Sequence, residues 1–231
     1  MSFRAKAAVV AVTAAACMLV APAALASSHG PVTGKQLKSA LLPASDFVAG
    51  YTTSAEGDSG RKLEHGTLYN LRTMSCQNFW VFVGVTFGFG DTAFASDLVV
   101  DKTGMKNPEE IFSQSVYQFA SSKTAASFYG EVNARYRSCR SLSVSDGSGG
   151  TLKRTVHSQV KERVGGHQAT QIVEYSTDTR IPGPPLRIYL LWTISGTDVY
   201  MISTTPLTPG SPQPTQSSLT LKLITRVAAL R

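Results

Sequence analysis

The sequence predicts an α+β domain, a mainly antiparallel β-sheet packed with helices and closed by one disulfide. Three observations carry that prediction. Residues 116–139 change from strand character to helix character and end on a cysteine. Near the C-terminus Ile188, Leu190, Trp192 and Ile194 alternate along a strand, and Ser195-Gly-Thr-Asp198 joins it to residues 199–203 so briefly that only antiparallel neighbours fit. Two cysteines remain once an export signal is taken away.

That signal occupies residues 1–26. Arg4 and Lys6 precede an apolar run over residues 7–20, and Ala24-Leu25-Ala26 supplies small residues for cleavage, so the mature chain is expected to begin near Ser27. A membrane anchor is the rival, but Pro22 and the alanine-rich run argue against it, and no second apolar run of about 18 residues follows. Lipidation at Cys17 is a further rival. The residues before it are all alanine, where a branched aliphatic is usual, and apolar Met18-Leu19-Val20 follows where a polar segment belongs. A secreted protein without a transmembrane anchor is therefore expected, with residues 27–32 as a disordered lead and residues 33–231 as one domain.

Losing Arg4 and Lys6 takes the formal charge from +7 to about +5. The remaining basic residues are scattered, with no run of five or six, which excludes the usual signature of a nucleic-acid-binding protein and leaves a solvated surface or attraction to an anionic envelope. Cys76 and Cys139 are expected to pair, since the chain leaves a reducing compartment. Closing a loop of this length stabilises a fold by roughly 4 kcal/mol in the chain-entropy model. A metal site lacks further ligands, with only His65 near Cys76, and no cofactor is implied.

Along the mature chain Thr33-Gly-Lys-Gln36 has the capping-box pattern, and a short helix follows with Leu37, Ala40 and Leu41 on one face until Pro43 ends it. Residues 55–61 read as a mobile loop, being polar and glycine-rich. Residues 79–87 are aromatic and β-branched and read as a strand. Glycines 84, 88 and 90 are interleaved with Phe87 and Phe89 and precede no capped helix, so bends in a β segment explain them better than a phosphate loop.

Residues 111–119 then read as a strand, and Ser121 or Ser122 as the cap of a helix. On that helix Ala125, Phe128, Tyr129, Val132, Tyr136 and Cys139 share one face. The spacing makes both tyrosines core residues more economically than groove-lining ones. Next, Val156, Val160 and Val164 share one side of an alternating stretch, and Thr155, His157, Gln159, Lys161 and Arg163 share the other. Residues 167–176 form another strand, and Ile181-Pro-Gly-Pro-Pro185 a turn before the strand holding Trp192. In the last segment Leu219, Leu223, Ile224, Val227 and Leu230 make a helix stripe. Alternation from Leu219 to Leu223 also permits a strand, but Ala228 and Ala229 favour helix.

Three blocks carry a resemblance: Leu41-Leu-Pro-Ala-Ser-Asp46-Phe, then Ser115-Val-Tyr-Gln-Phe-Ala-Ser-Ser-Lys-Thr-Ala-Ala-Ser-Phe-Tyr, then Tyr136-Arg-Ser-Cys139. Together they resemble the PknH-like extracellular sensor domain family, found as the outer portion of membrane-spanning Ser/Thr kinases of actinobacteria and as free secreted proteins or lipoproteins. The resemblance spans residues 33–231 in layout, and its specific part is the strand-helix-cysteine block. It implies an antiparallel sheet flanked by helices, a cleft for an extracellular ligand, and no catalysis. Two departures stand against it: family members often have a second cysteine pair, and this chain carries no kinase domain or transmembrane helix.

The ligand expected is a lipid, glycan or other envelope component, with no nucleic acid among the partners. Its place is expected on the second face of the late sheet, where Tyr189, Leu191 and Thr193 alternate against the Trp192 side, Tyr200 lies on the adjoining strand, and Arg154 and Lys161 bring positive charge. Helices covering that face would instead bury the tyrosines. A hydrolase with a dispersed Ser/His/Asp site is the alternative. No Gly-x-Ser-x-Gly, His-Glu-x-x-His, P-loop or Cys-x-x-Cys motif supports it, and Glu109 and Glu110 are neighbours that point apart. Only His65, His157 and His167 could serve as its base. Intact mass of the exported protein should show a chain starting near Ser27 with Cys76 and Cys139 oxidised; two free thiols there would undo the fold argument.

Overall fold

The computed structural model describes residues 32–53, 70–82, 90–100, 110–145, 150–180, 183–206 and 215–231. Thr33 and Gln36 form the expected capping box: the Gln36 amide donates to Thr33 Oγ1 at 3.2 Å, and the Thr33 amide donates to Gln36 Oε1 at 2.8 Å. They start helix α1 (Gly34–Ala40), whose buried face holds Leu37 and Ala40. Val32, expected in the disordered lead, is instead buried in the core beside this helix, because its apolar side chain fits the pocket between α1 and the sheet. After α1 the chain is clamped by a buried glutamine: the Leu42 amide donates to Gln114 Oε1 at 2.9 Å and Gln114 Nε2 donates to the Leu42 carbonyl at 2.8 Å.

A short strand β1 (Thr52–Thr53) follows, then helix α2 (Cys76–Phe82). Here the aromatic run departs from expectation, because Phe79 to Phe82 lie in a helix; the rest of the expected strand, like the loop at residues 55–61, lies outside the described residues. The reason is local and tertiary together. Ser75 Oγ accepts from the Asn78 amide at 3.1 Å and caps the helix. Phe79 and Trp80 are both buried against Tyr136, with ring centroids 4.9 and 5.7 Å away. In a strand such neighbours would point to opposite faces.

The remaining elements are β2 (Ala93–Val100), β3 (Glu110–Gln118), α3 (Ser122–Ser138), β4 (Ser141–Ser145), β5 (Thr151–Val164), β6 (His167–Asp178), β7 (Leu186–Ser195), β8 (Asp198–Pro206) and α4 (Gln216–Ala228). The strands form one antiparallel sheet in the order β1-β2-β3-β8-β7-β6-β5-β4. Helices α2 and α3 cover one face; α1 and α4 cover the other. The last segment is a helix, as its alanines favoured. Gly165 and Gly166 turn β5 into β6 with φ of 56° and 86°, a hairpin turn that other residues adopt with strain. A side chain on Gly165 would also strike Leu221 of α4.

Helix α3 begins where expected, with Ser121 Oγ accepting from the Thr124 amide at 3.1 Å. Phe128 packs against Tyr117 and Trp192 at 5.2 and 6.2 Å between ring centroids, and Val132 and Tyr136 continue the contact. Burial of each such side chain stabilises the fold by about 1.5–3 kcal/mol. Cys139 caps the helix and is bonded to Cys76, with Cα atoms 5.3 Å apart, so α3 is tied to the start of α2.

The alternation expected along β5 holds only up to a bulge. Pairing moves from Val156↔Glu174 to Ser158↔Val173 and leaves His157 without a partner strand residue. Every side chain after the bulge changes face. Val156 packs under α3, Val164 packs with Ala169 and Leu191 on the α4 side, and Val160 is 54% exposed. Gln159 and Lys161, expected opposite Val156, join its face.

Beneath α2 lies a buried ion pair. Arg154 Nη2 donates to Glu174 Oε2 at 2.5 Å, and the guanidinium sits 4.8 Å over the Trp80 ring. Glu174 is 0% exposed, and burial raises its pKa above the usual carboxylate value, against the pull of Arg154. Burial likewise pushes the Tyr136 phenol well up, with Glu174 adding to it. Because the folded carboxyl is the weaker acid, its contribution to stability is present below the ordinary value of 4.5 and is lost as pH rises through the raised one. Chemical denaturation should show Arg154→Met costing about 3–5 kcal/mol at neutral pH, with Arg154→Met/Glu174→Gln recovering much of the loss. Glu174→Gln should also remove the acid-side gain; equal pH profiles for it and the wild type would refute the assignment.

Candidate functional site

The expected binding residues do not come together. Leu191 and Tyr200 are 1% and 2% exposed beneath the α1 and α4 layer, and Tyr200 donates to Asp198 Oδ2 at 3.1 Å. Thr193 is buried with them. Arg154 lies on the opposite face, engaged with Glu174 and Trp80. Only Tyr189 stays half-exposed, at the edge of the helix layer, where Gln216 Nε2 donates to its carbonyl at 2.9 Å. The physical cause is the stripe of Leu219, Leu223 and Val227 on α4, which needs an apolar surface and takes this one.

A cleft opens instead on the other face, between α3 and the far half of the β5–β6 hairpin. It encloses about 400 Å³ and is lined by Ala126, Tyr129, Gly130, Asn133 and Arg137 from α3, and by Lys161, Glu162, Arg163, Gln168, Ala169 and Thr170 from the hairpin. The volume lies within the range of small-molecule sites. Its floor is polar and ordered. Tyr129 Oη and Thr170 Oγ1 share a hydrogen bond of 2.7 Å, Asn133 Nδ2 donates to the Tyr129 carbonyl at 2.8 Å, and Gln159 Nε2 donates to Asn133 O and Oδ1 at 3.0 and 3.1 Å. Partial burial raises the pKa of the Tyr129 phenol, so it stays protonated and able to donate.

The rim is cationic. Arg137 and Lys161 make no ion pair among the described residues, and Arg163 spends one N–H on the Gly166 carbonyl at 2.8 Å. Glu162 is the single carboxylate among the lining residues. The bulge at His157 makes this rim, since without it Lys161 and Arg163 would face α4.

Both tyrosines of α3 pack on the core, as their spacing predicts, but Tyr136 is fully buried while Tyr129 is only partly buried and also lines the cleft. Sequence reading missed Asn133 and Arg137. A signal for them exists, because Tyr129, Asn133 and Arg137 recur every four residues beside the apolar stripe, and Ala126 and Gly130 leave room between that row and the sheet. Lys161 was expected to bring charge to a ligand, but on the other face; the turn of Lys161 and Arg163 toward α3 had no signal, because a bulge has no local marker here.

The described histidines do not assemble a triad. His157 packs its ring on Tyr175 at 4.9 Å, and His167 lies beside the β5–β6 turn; neither hydrogen-bonds to a carboxylate among the described residues. His65 lies outside them. Among the described residues there is no group of three or more potential metal ligands and no helix long and apolar enough to cross a membrane.

No protein-family model matches the chain, and no curated protein does. Among solved structures, the extracellular domain of PknH from Mycobacterium tuberculosis aligns over 87% of this chain and 99% of that one, at 14% identity and a TM-score of 0.57. The two share a fold. A Rv0999 ortholog from Mycobacterium smegmatis aligns over 80% of this chain and 91% of that one, at 12% identity, with a TM-score of only 0.34.

Proposed function

We infer that this chain is an exported, non-catalytic sensor-like domain that binds a small anionic ligand in the cleft between α3 and the β5–β6 hairpin. The observation that carries the reading is the pairing of Arg137 and Lys161, which make no ion pair among the described residues, with an ordered hydroxyl and amide floor at Tyr129, Thr170 and Asn133. Cations without protein partners attract an anion into a partly enclosed site, and the floor donors then fix its orientation. The fold of the PknH extracellular domain supports an extracellular role, and the cleft offers no nucleophile-base pair for a reaction. An acid from the cell envelope, carrying a carboxylate or phosphate, suits the charge and the volume.

Gly130 makes this reading testable. A glycine inside a helix costs about 1 kcal/mol against alanine, yet this one has open space above it, and that space is the cleft. Native mass spectrometry of the protein purified from its own envelope should therefore reveal a retained acidic molecule. Gly130→Leu should lose that molecule while unfolding at no lower denaturant concentration than the wild type, and Lys161→Glu should lose it through charge alone. A molecule held equally by the wild type and both variants, or none held by any, would refute the cleft as the binding site.

A further inference from the structure

The face of the sheet opposite the cleft is covered by α4 only as far as Tyr189, where Gln216 reaches the strand. Beyond that point β5, β6 and β7 present a row of rings around one guanidinium. Arg187 Nη1 donates to Tyr189 Oη at 3.2 Å, and Nη2 donates to Tyr175 Oη at 3.2 Å. The same guanidinium lies 5.4 Å from the Tyr175 ring centroid, and the His157 ring packs on Tyr175 at 4.9 Å from the other strand. Arg187 and His157 are exposed, both tyrosines are half-exposed, and no carboxylate pairs with Arg187 among the described residues.

We propose that this row is a second binding site, for an acidic glycan. Both phenol oxygens accept from Arg187, so each phenol keeps its own O–H to donate, and the guanidinium keeps its unspent N–H groups. The centre of the row therefore offers donors held in fixed places, which suits a carboxylate or a sugar phosphate. The half-exposed rings add flat apolar area of the kind that seats the C–H face of a sugar, as amphipathic aromatics do at recognition surfaces. The surroundings match. Next to the row the sheet presents Lys153 and the exposed hydroxyls of Ser141 and Ser143 on β4, which register places beside Thr155 and Lys153. Flat, hydroxyl-rich and cationic, this surface complements a chain of acidic sugars rather than a lipid tail, which needs an apolar groove.

The site is separate from the cleft, because the two lie on opposite faces of the sheet. The test is an NMR titration of the mature protein with trigalacturonate, neutral maltotriose and inorganic phosphate. Trigalacturonate should shift the backbone amides of Tyr175, Arg187 and Tyr189, and Arg187→Gln should weaken it about tenfold or more, as expected for loss of a charge-assisted contact. Gly130→Leu, which fills the cleft, should leave this binding unchanged. Arg187 is exposed, so its variant keeps the fold, which the amide spectrum checks. The proposal is overturned if trigalacturonate produces no shifts, if its shifts fall at Arg137 and Lys161, if Arg187→Gln binds as well as wild type, or if maltotriose or phosphate alone binds equally well.

Discussion

The seating of α3 on the sheet is the constraint on which one half of this molecule depends. The helix is held by rings, with Phe128 between Tyr117, Phe119 and Trp192, and by a covalent tie from its cap, Cys139, to Cys76. Arg135 in its last turn adds a further hold, donating to the Met74 carbonyl before α2 and lying over the Phe79 ring. A cation there also suits the C-terminal end of a helix. These contacts all lie toward β3, β7 and β8 or toward α2. On the side facing the β5–β6 hairpin the helix offers Ala126 and Gly130, too small to fill the gap, and the cleft is what remains.

Polar groups inside this architecture act chiefly by position. Glu174 and Arg154 bridge β6 and β5, and a buried pair of this kind adds little net stability once desolvation is counted. Its guanidinium lies over the Trp80 ring of α2, a contact between that helix and the sheet. Gln114 acts similarly on the other face, presenting both amide atoms to the backbone of Leu42 so that the chain leaving α1 is bonded where no strand accompanies it. Gln159 does the same for the α3 backbone at Asn133, and through it steadies the floor of the cleft.

How much could be read in advance follows from the range of the interactions involved. The capping box at Thr33 and Gln36, the cap at Ser121, the stripe from Ala125 to Tyr136, the hairpin at Gly196 and the helical last segment are settled by residues within a turn or two of one another, and each formed as read. The run from Phe79 is helical although its composition favours strand, because its partners, the Tyr136 ring and the Cys139 carbonyl that accepts from Trp80, lie nearly sixty positions away. Val32 is likewise buried among residues distant in the chain.

The amino-acid sequence alone determined the class of this protein: an α+β layout, helices α1, α3 and α4, most of its strands, and the two cysteines that join, because local periodicity, capping and cysteine number are written in neighbouring residues. Tertiary structure decided where a ligand can reach. Helix α4 closed the face holding Leu191 and Tyr200, and the bulge at His157 turned Lys161 and Arg163 toward α3 while leaving His157 beside Tyr175. Both outcomes depend on pairing and packing between segments far apart in the chain, where one residue of register moves a whole row of side chains to the other face.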